Sequence, residues 1–305
     1  MSQAIEIRHV TKRFNGRLAL HDVDWSLEAG QIHGLIGANG AGKTTLLQLA
    51  LGVLAPDQGT ITVLGELSGP HNATLRQRMQ YVASDQTLPR NFRVSEWLHY
   101  VSLLYQRWDA RVAKRLLDAM EIGRNTPIRA LSTGAQASLR LALAAAARPE
   151  LLLLDEATNG LDVVVKRQVM RLLVDMAAAE GTTLVVATHA IEDVERMAET
   201  ISILYRGSVV LTENLDALKG HVRRFQIVAG PQWSQEVLHH PQVADVRWQG
   251  HVGVVTIDGP PESWSERLRQ AGATLVEPID MDLADVFGIV LKREGYTREN
   301  LAWDA

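Results

Sequence analysis

A glycine-rich stretch near the N-terminus has the residue types and the spacing of a loop that binds phosphate groups. Its residues are Gly37, Ala38, Asn39, Gly40, Ala41, Gly42, Lys43, Thr44 and Thr45. In such a loop, main-chain N–H groups and the start of the following helix surround phosphate oxygens. Lys43 would neutralise the β- and γ-phosphates, and the Thr44 hydroxyl would bind Mg²⁺. Because a chance match in a chain of average composition is on the order of 1%, a glycine-rich turn without a ligand is the less favoured interpretation.

Two acidic residues follow a second apolar run and would complete this chemistry. Leucines occupy residues 151–154, and Asp155 and Glu156 come directly after them. A buried strand would deliver Asp155 toward Mg²⁺, through water, and Glu156 toward the attacking water as a general base. Apolar runs that end in acidic residues are common, so the pattern is weak alone. Beside a phosphate-binding loop it predicts a site for a nucleotide and Mg²⁺.

A third segment lies between these two motifs. More than a hundred residues separate Lys43 from Asp155, which exceeds one strand–helix–strand unit and predicts an inserted helical subdomain at about residues 87–150. Inside it, four residues precede an Ala-rich helix: Leu131, Ser132, Thr133 and Gly134. Ser132 suits the cap of that helix, whose free N–H groups also attract an anion. Taken alone, this segment is best interpreted as an ordinary helix cap.

Five motifs occur in the order and spacing of the ATP-binding cassette (ABC) ATPases, a resemblance that covers residues 5–218. They are the segments 37–44, 131–134, 151–156 and 159–162, and His189. The resemblance implies ATP and Mg²⁺ as cofactors, hydrolysis of ATP, and two cassettes arranged head to tail. ATP on the phosphate loop of one cassette would be closed over by Ser132, Thr133 and Gly134 of the other. The second cassette would be another copy of this chain or a paralogous ATPase subunit.

The same resemblance assigns three further residues by their position. Phe14 stands where the family places an aromatic ring on adenine, although a core phenylalanine is otherwise the favoured interpretation. His189 stands where an imidazole contacts the γ-phosphate and orients the attacking water, although a lone histidine is usually structural. Asp162 belongs to the loop that connects the two nucleotide sites across the dimer, and it is included among the nucleotide-binding residues.

Two departures from the family pattern bear on the site. The family has Leu-Ser-Gly-Gly-Gln where this chain has Thr133 and Ala135 at the third and fifth positions. The β-branched Thr133 suggests a weaker or slower closure over ATP. The family's glutamine loop is also altered, because ungapped counting puts Ser84 at the glutamine position and Gln86 two residues on. Either Gln86 reaches the metal through a shifted loop, or Ser84 occupies the position and water completes the Mg²⁺ shell.

The elements around the motifs predict how they are held. Strand patterns occupy residues 5–10, 20–27, 31–36, 61–64, 81–83, 151–154, 183–188 and 201–205, and helical patterns lie between several of them. Strands that alternate with helices predict a mostly parallel sheet covered on both faces. The expected fold class is therefore α/β, a P-loop NTPase core of the ABC ATPase type with the inserted helical subdomain.

The order of strand and helix patterns changes beyond about residue 219. This change predicts a boundary between an ATP-binding cassette domain at 1–218 and an accessory domain at 219–305. In the second part, four strand patterns and two helical patterns follow in the order βαββαβ. That order predicts a small C-terminal α+β module of the ferredoxin-like kind. A short helix around residues 282–293 follows it.

Composition limits the classes of function. The chain has 305 residues, a formal net charge of −4 and no cysteine. The cysteine count excludes disulfides, iron–sulfur clusters and cysteine nucleophiles, and without a basic excess no nucleic-acid partner is expected. No secretory signal is apparent, and no apolar run approaches the ~20 residues of a membrane span. We expect a cytoplasmic chain that is peripheral on the inner face of the cell membrane through a permease.

The resemblance implies the ATP-hydrolysing subunit of an ABC transporter whose polytopic membrane permease is a separate subunit. Residues 282–287, Leu64, Gly65 and residues 159–162 resemble the bacterial exporters of drugs, antibiotics and ions, which favours export. One alternative is an importer ATPase whose C-terminal domain binds a small regulator, and another is a soluble ABC ATPase that acts on ribosomes or DNA. A metabolite kinase would not explain residues 131–134.

Overall fold

The computed structural model describes residues 2–259 and 263–293. Four strands form an antiparallel sheet: β1 Gln3–Phe14, β2 Arg17–Glu28, β4 Gln58–Val63 and β5 Glu66–Leu67. Their order in the sheet is β2-β1-β4-β5. Asn15 and Gly16 join β1 to β2 in a two-residue turn, a sequence typical of tight hairpins. This hairpin leaves Phe14 at its tip.

A second sheet of six strands holds the predicted motifs. Its strands are β3 Ile32–Ile36, β6 Met79–Ala83, β7 Leu151–Asp155, β8 Thr183–Thr188, β9 Thr200–Tyr205 and β10 Ser208–Asn214. They lie in the order β10-β9-β3-β8-β7-β6, and the pairs β3–β8, β3–β9, β7–β8 and β6–β7 are parallel. Strands β3, β7 and β8 are buried at every position, as expected of parallel strands covered on both faces.

Helices cover both faces of this sheet. They are α1 Lys43–Ala50, α2 Ala73–Arg78, α3 Val94–Ser102, α4 Ala110–Ala119, α5 Thr133–Ala146, α6 Val163–Glu180 and α7 Ile191–Glu195. Leu152 and Leu154 of β7 belong to one hydrophobic core with side chains of α5 and α6, whereas Leu151 and Leu153 belong to the other with side chains of α1. Alternate residues of one strand therefore serve two cores.

The chain divides between Thr212 and Glu213 into two units. The second contains α8 Leu215–His221, β11 Val222–Ala229, β12 Val243–Gln249, β13 Val252–Asp258, α9 Trp264–Gln270, β14 Ala273–Ile279 and α10 Leu283–Arg293. Its antiparallel sheet has the order β12-β13-β11-β14, and a short 3-10 helix at Gln235–His239 replaces the first helix of the predicted module. The expected boundary at 218/219 falls inside α8, which contacts β11.

The predicted α/β class and the largely parallel sheet are confirmed, and the C-terminal module has the predicted order of elements except that a 3-10 helix stands in place of its first α-helix. Strands β5 and β10 and the short helices α2, α7 and α8 were not predicted, and the alternating strands β1 and β2 belong to a separate antiparallel sheet. Strict alternation is the pattern of strands with one face buried, which explains that difference. Across residues 2–259 and 263–293, every helix is too short or too polar to cross a bilayer.

A buried polar network joins the two sheets of the first unit through His33 of β3. Its Nδ1 lies 2.7 Å from Thr200 Oγ1 and its Nε2 lies 3.0 Å from Ser202 Oγ. The Trp25 indole of β2 donates to the same Ser202 hydroxyl at 2.8 Å. Burial lowers the pKa of His33 from 6.5 to about 3, because water no longer solvates the imidazolium. His33 is therefore neutral in the folded chain at ordinary pH.

This neutral histidine makes folding pH-dependent. Below pH 6.5 His33 is protonated in the unfolded chain, whereas in the folded chain it stays neutral down to about pH 3. Its full contribution to the free energy of unfolding is therefore present above pH 6.5 and is lost as the pH falls. Between pH 7.5 and pH 5, His33 should lower the free energy of unfolding by about 2 kcal/mol. Urea unfolding at a series of pH values measures this loss.

His33→Gln should abolish that part of the pH dependence, because glutamine does not titrate. The exposed His71 supplies the control, since His71→Gln should leave the wild-type pH profile unchanged. Identical profiles for the wild type and His33→Gln would contradict the buried neutral state.

Candidate functional site

The phosphate-loop sequence lies between the end of β3 and the start of α1. Ala41 donates its N–H to Ala38 O at 3.0 Å, which closes a turn inside the loop. Gly42 precedes the helix with a φ of 112°, a left-handed conformation that side chains rarely adopt. Lys43 and Thr44 therefore begin α1, as the mechanism of such a loop requires. Thr44 is exposed there.

The Lys43 ammonium is folded back into its own loop. Its Nζ donates to Gly37 O at 2.5 Å and lies 3.4 Å from Ala38 O, and the residue is only 5% exposed. The same Nζ lies 3.4 Å from Glu156 Oε1. The structure thus brings together the cation of the first motif and the acid of the second.

Glu156 stands where the chain turns off the end of β7. Its φ is 50°, and its N–H donates to Ala187 O of the neighbouring β8 at 2.9 Å. Both the main-chain N–H and the ring Nδ1 of His189 contact Glu156 Oε1, at 3.1 and 2.9 Å. The Asn159 amide lies 3.3 Å from Oε2. One carboxylate therefore connects Lys43, His189 and the loop that follows β7.

Asp155 is the last residue of β7 and is 4% exposed. Its Oδ2 accepts a hydrogen bond from the Tyr81 hydroxyl at 2.9 Å. Its Oδ1 is buried and has no hydrogen-bond partner in the part of the chain that the structure describes. A buried carboxylate oxygen without a hydrogen bond lowers the stability of the fold by about 1–3 kcal/mol or more. Such an oxygen is suited to bind a cation.

Asp155 and Thr44 suit Mg²⁺ bound together with a substrate, rather than a metal ion whose ligands are all protein side chains. Mg²⁺ binds oxygen, keeps several waters, and takes one or two carboxylates together with substrate phosphates. Asp155 Oδ1 and the Thr44 hydroxyl are oxygen donors of this kind. Among residues 2–259 and 263–293, His, Cys, Asp and Glu form no cluster of three or more that could hold a metal ion. The remaining ligands would then be phosphate and water.

The segment at residues 131–134 lies against the loop at residues 159–162 of the same chain. Ser132 caps α5 and accepts a hydrogen bond from Ala135 N at 3.2 Å. A Cβ on Gly134 would lie 2.9 Å from Gly160 O, and the Thr133 methyl is close to Gly160. Asp162 caps α6 through Val164 N and Val165 N, both at 3.0 Å.

The structure does not bring every predicted residue to the phosphate loop. None of the contacts described for Ser132, Thr133, Gly134 and Asp162 reaches Lys43 or Glu156. Phe14 is 43% exposed at the tip of its hairpin, so the alternative of a core phenylalanine is wrong. The Lys12 ammonium lies 5.5 Å from the centre of its ring. The proposed contact of Phe14 with adenine stays a prediction.

The altered glutamine loop runs from β6 into the helical subdomain. Ser84 donates its N–H to Asp155 O at 3.1 Å, so its main chain lies beside the candidate metal ligand. The Gln86 amide instead donates to Tyr81 O at 3.2 Å. Among the described contacts of Gln86, none is to Asp155 or Thr44, and its role as a metal ligand stays a prediction.

Sequence reasoning did not assign Tyr81 and Arg140 to the site. Arg140 of α5 is 8% exposed, and its guanidinium donates to Gln86 O at 2.7 Å and to Ser84 O at 3.3 Å. Burial lowers the pKa of Arg140, while the nearby Asp85 acts in the opposite direction. A single arginine inside an apolar helical run was the available signal. Tyr81 gave no such signal, because a tyrosine in a strand is ordinary.

Comparison with known proteins identifies the family. The model of the family described as ABC transporter matches residues 20–159. The ABC transporter ATP-binding protein YtrB of Bacillus subtilis is 34% identical over 223 residues, which are 73% of this chain and 76% of the relative. The chain belongs to the ABC transporter ATP-binding proteins.

Two further matches extend this comparison. The Nod factor export ATP-binding protein I of Sinorhizobium fredii is 29% identical over 300 residues, and the match covers 88% of this ABC ATP-binding protein and 86% of the relative. A solved dimeric ATP-binding cassette in a post-hydrolysis state, bound to ADP and Pi, has a TM-score of 0.61 and 24% identity. It covers 69% of this chain and 98% of that chain, and at this identity it shows the fold alone.

The close approach of Gly134 to Gly160 generates a prediction. Alanine in the first turn of a helix normally stabilises relative to glycine, but a Cβ on Gly134 would press on the main chain of Gly160 at 2.9 Å. Gly134→Ala should therefore lower the free energy of unfolding by about 1–3 kcal/mol, as measured by chemical denaturation. Gly69→Ala is the control, because nothing lies within 4 Å of a Cβ at that position. A stabilised Gly134→Ala chain would show that the two loops separate easily.

Proposed function

We propose that this ABC ATP-binding protein hydrolyses ATP and thereby powers export through a separate membrane permease. The observation that carries the proposal is the position of Glu156. Its Oε1 lies 2.9 Å from His189 Nδ1 and 3.4 Å from Lys43 Nζ. A general base for water, a cation for phosphate and an imidazole thus lie at the ends of three neighbouring parallel strands, where ligands of such sheets bind.

In this proposal, Lys43 and Glu156 change partners when the nucleotide binds. Phosphate oxygens compete with Glu156 for the Lys43 ammonium, so nucleotide binding releases the carboxylate from its ion pair. The freed carboxylate then accepts a proton from the attacking water. His189 keeps Glu156 oriented and presents its imidazole toward the γ-phosphate. Bound Mg²⁺ would neutralise charge on the phosphates, with Asp155 and Thr44 as its protein ligands.

A second cassette completes the site in this proposal. Ser132, Thr133 and Gly134 lie beside residues 159–162 of their own chain, and none of their described contacts reaches its own phosphate loop. Their free helix N-terminus suits the γ-phosphate of ATP on another copy or on a paralogous subunit. The similar solved cassette is dimeric and holds ADP and Pi. Phe14 would stack on adenine, and Asp162 would transmit contact between the two sites.

Export rests on the relatives and on the C-terminal motif. Nod factor export ATP-binding protein I aligns over both units of the chain. The motif at residues 282–287 begins α10, where Leu283, Val286 and Phe287 are buried and Asp285 pairs with Arg224 of β11 at 2.6 Å. The chain would lie on the cytoplasmic face of the cell membrane, held there by its permease, with no nucleic acid as a partner.

The test begins with the reading frames next to the gene of this chain: any polytopic membrane protein encoded there is reconstituted with it. Co-purification in detergent, ATP turnover that rises in the presence of the permease, and ATP-dependent loss of cargo from cells are the expected results. Cargo uptake in place of loss would overturn export. Failure to bind the membrane protein, together with salt-sensitive binding to ribosomes or DNA, would overturn the role in transport.

Glu156→Gln isolates the chemical step. The substitution keeps the shape of the side chain but removes its basicity and one negative charge near the γ-phosphate. Hydrolysis should fall by about 10²–10⁴-fold, the scale of a lost general base, while the ATP-bound dimer accumulates. Steady-state turnover and light scattering in Mg²⁺-ATP measure the two effects.

Two variants control this experiment. Glu192→Gln makes the same chemical change at an exposed residue of α7 and should retain wild-type turnover. Lys43→Ala should lose ATP binding itself, because it removes the cation from the loop. Wild-type turnover by Glu156→Gln would remove Glu156 from the role of general base. Loss of turnover without a stable ATP-bound dimer would leave the sandwich arrangement unsupported.

A further inference from the structure

Tyr81 of β6 reaches the candidate metal ligand from the neighbouring strand. In the parallel pairing of β6 with β7, Tyr81 is opposite Leu153 and Ala83 is opposite Asp155. The Tyr81 side chain spans this two-residue offset, and its hydroxyl donates to Asp155 Oδ2 at 2.9 Å. Since Asp155 is 4% exposed, water has little access to replace this donor.

The hydrogen bond makes the two oxygens of Asp155 inequivalent. Oδ2 accepts from Tyr81, whereas Oδ1 is buried without a partner among the described residues. A carboxylate with one oxygen held cannot rotate freely, so its other oxygen keeps one direction. Oδ1 is therefore the oxygen available to a cation.

Tyr81 also contacts the altered glutamine loop. Its main-chain oxygen accepts a hydrogen bond from the Gln86 side-chain amide at 3.2 Å. Tyr81 lies two positions before Ala83, the last residue of β6. One residue thus engages both the aspartate and the loop beside it.

We propose that Tyr81 is a positioning residue for the binding of Mg²⁺. Its hydroxyl holds Asp155 through Oδ2, so that Oδ1 faces the Mg²⁺ of the bound nucleotide. The inference rests on the proposed binding of Mg²⁺-ATP at Lys43 and Asp155. Tyr81 acts through Asp155, and in the described structure it contacts neither Lys43 nor Glu156.

Tyr81→Phe removes only the hydroxyl and keeps the ring. The probe is the β,γ-imido analogue of ATP, which is not hydrolysed, so binding is read without turnover. Its affinity is measured first in EDTA and then as Mg²⁺ is added. The expected result is a Mg²⁺ half-saturation concentration about 10-fold higher than in the wild type, at the lower end of the effect of groups that orient metal ligands. Affinity in EDTA should change by less than about 2-fold.

Tyr100→Phe is the matched control, because it deletes the hydroxyl of a tyrosine that is 48% exposed and stacked on Trp97 of α3. It should leave the Mg²⁺ half-saturation unchanged. A double-mutant cycle adds a second measurement: in an Asp155→Asn chain, Tyr81→Phe should have no further effect on Mg²⁺.

Several outcomes would overturn the inference. An unchanged Mg²⁺ half-saturation in Tyr81→Phe would do so, as would additive effects in the cycle. Equal weakening in EDTA and in Mg²⁺ would assign Tyr81 a general structural role. If nucleotide binding to the wild-type chain did not depend on Mg²⁺, the proposed function would be overturned as well. The wild-type measurement therefore distinguishes failure of the proposed function from failure of the inference about Tyr81 alone.

Discussion

The parallel pairing of β3, β7 and β8 is the constraint on which the site depends. Ile36 is opposite Thr188, and Asp155 is opposite Ala187, so the three strands end at one edge of the sheet. The residues that follow these ends are far apart in the chain but converge in space. Since the strands are buried on both faces, a shift of register would expose apolar side chains as well as separate the reacting groups.

Electrostatics at this edge divide the acids into two kinds. Glu156 is already satisfied, because its Oε1 contacts both His189 and Lys43. Asp155 is satisfied on one side only, through Tyr81. In the proposed function, phosphate would displace Glu156 from the lysine, whereas Mg²⁺ would bind an Asp155 oxygen that has no partner among the described residues. One carboxylate that is paired with Lys43, beside another with a buried oxygen that accepts no hydrogen bond from the described residues, suits a site that binds an anion and a cation together.

The departures from the family pattern have local structural explanations. Thr133 replaces a glycine, and its methyl group lies on the side of Gly160, where a Cβ added to Gly160 would be 3.4 Å from it. Gly134 remains, at the point where any side chain would press on the main chain of Gly160. In the altered glutamine loop, Arg140 holds the main-chain oxygens of Ser84 and Gln86, which ties the helical subdomain to the strand end beside Asp155.

The phosphate loop, the acidic strand end, the cap at Ser132 and the strand order of the C-terminal module were predictable from the sequence. Each depends on contiguous residues whose conformation follows from local propensity and periodicity. The tertiary structure alone decided that the first strands form a separate sheet and that Gln86 turns toward Tyr81. It also decided the bond from Tyr81 to Asp155, which are 74 positions apart. Such contacts depend on the register between distant strands, and register is set by how whole cores pack rather than by any local pattern.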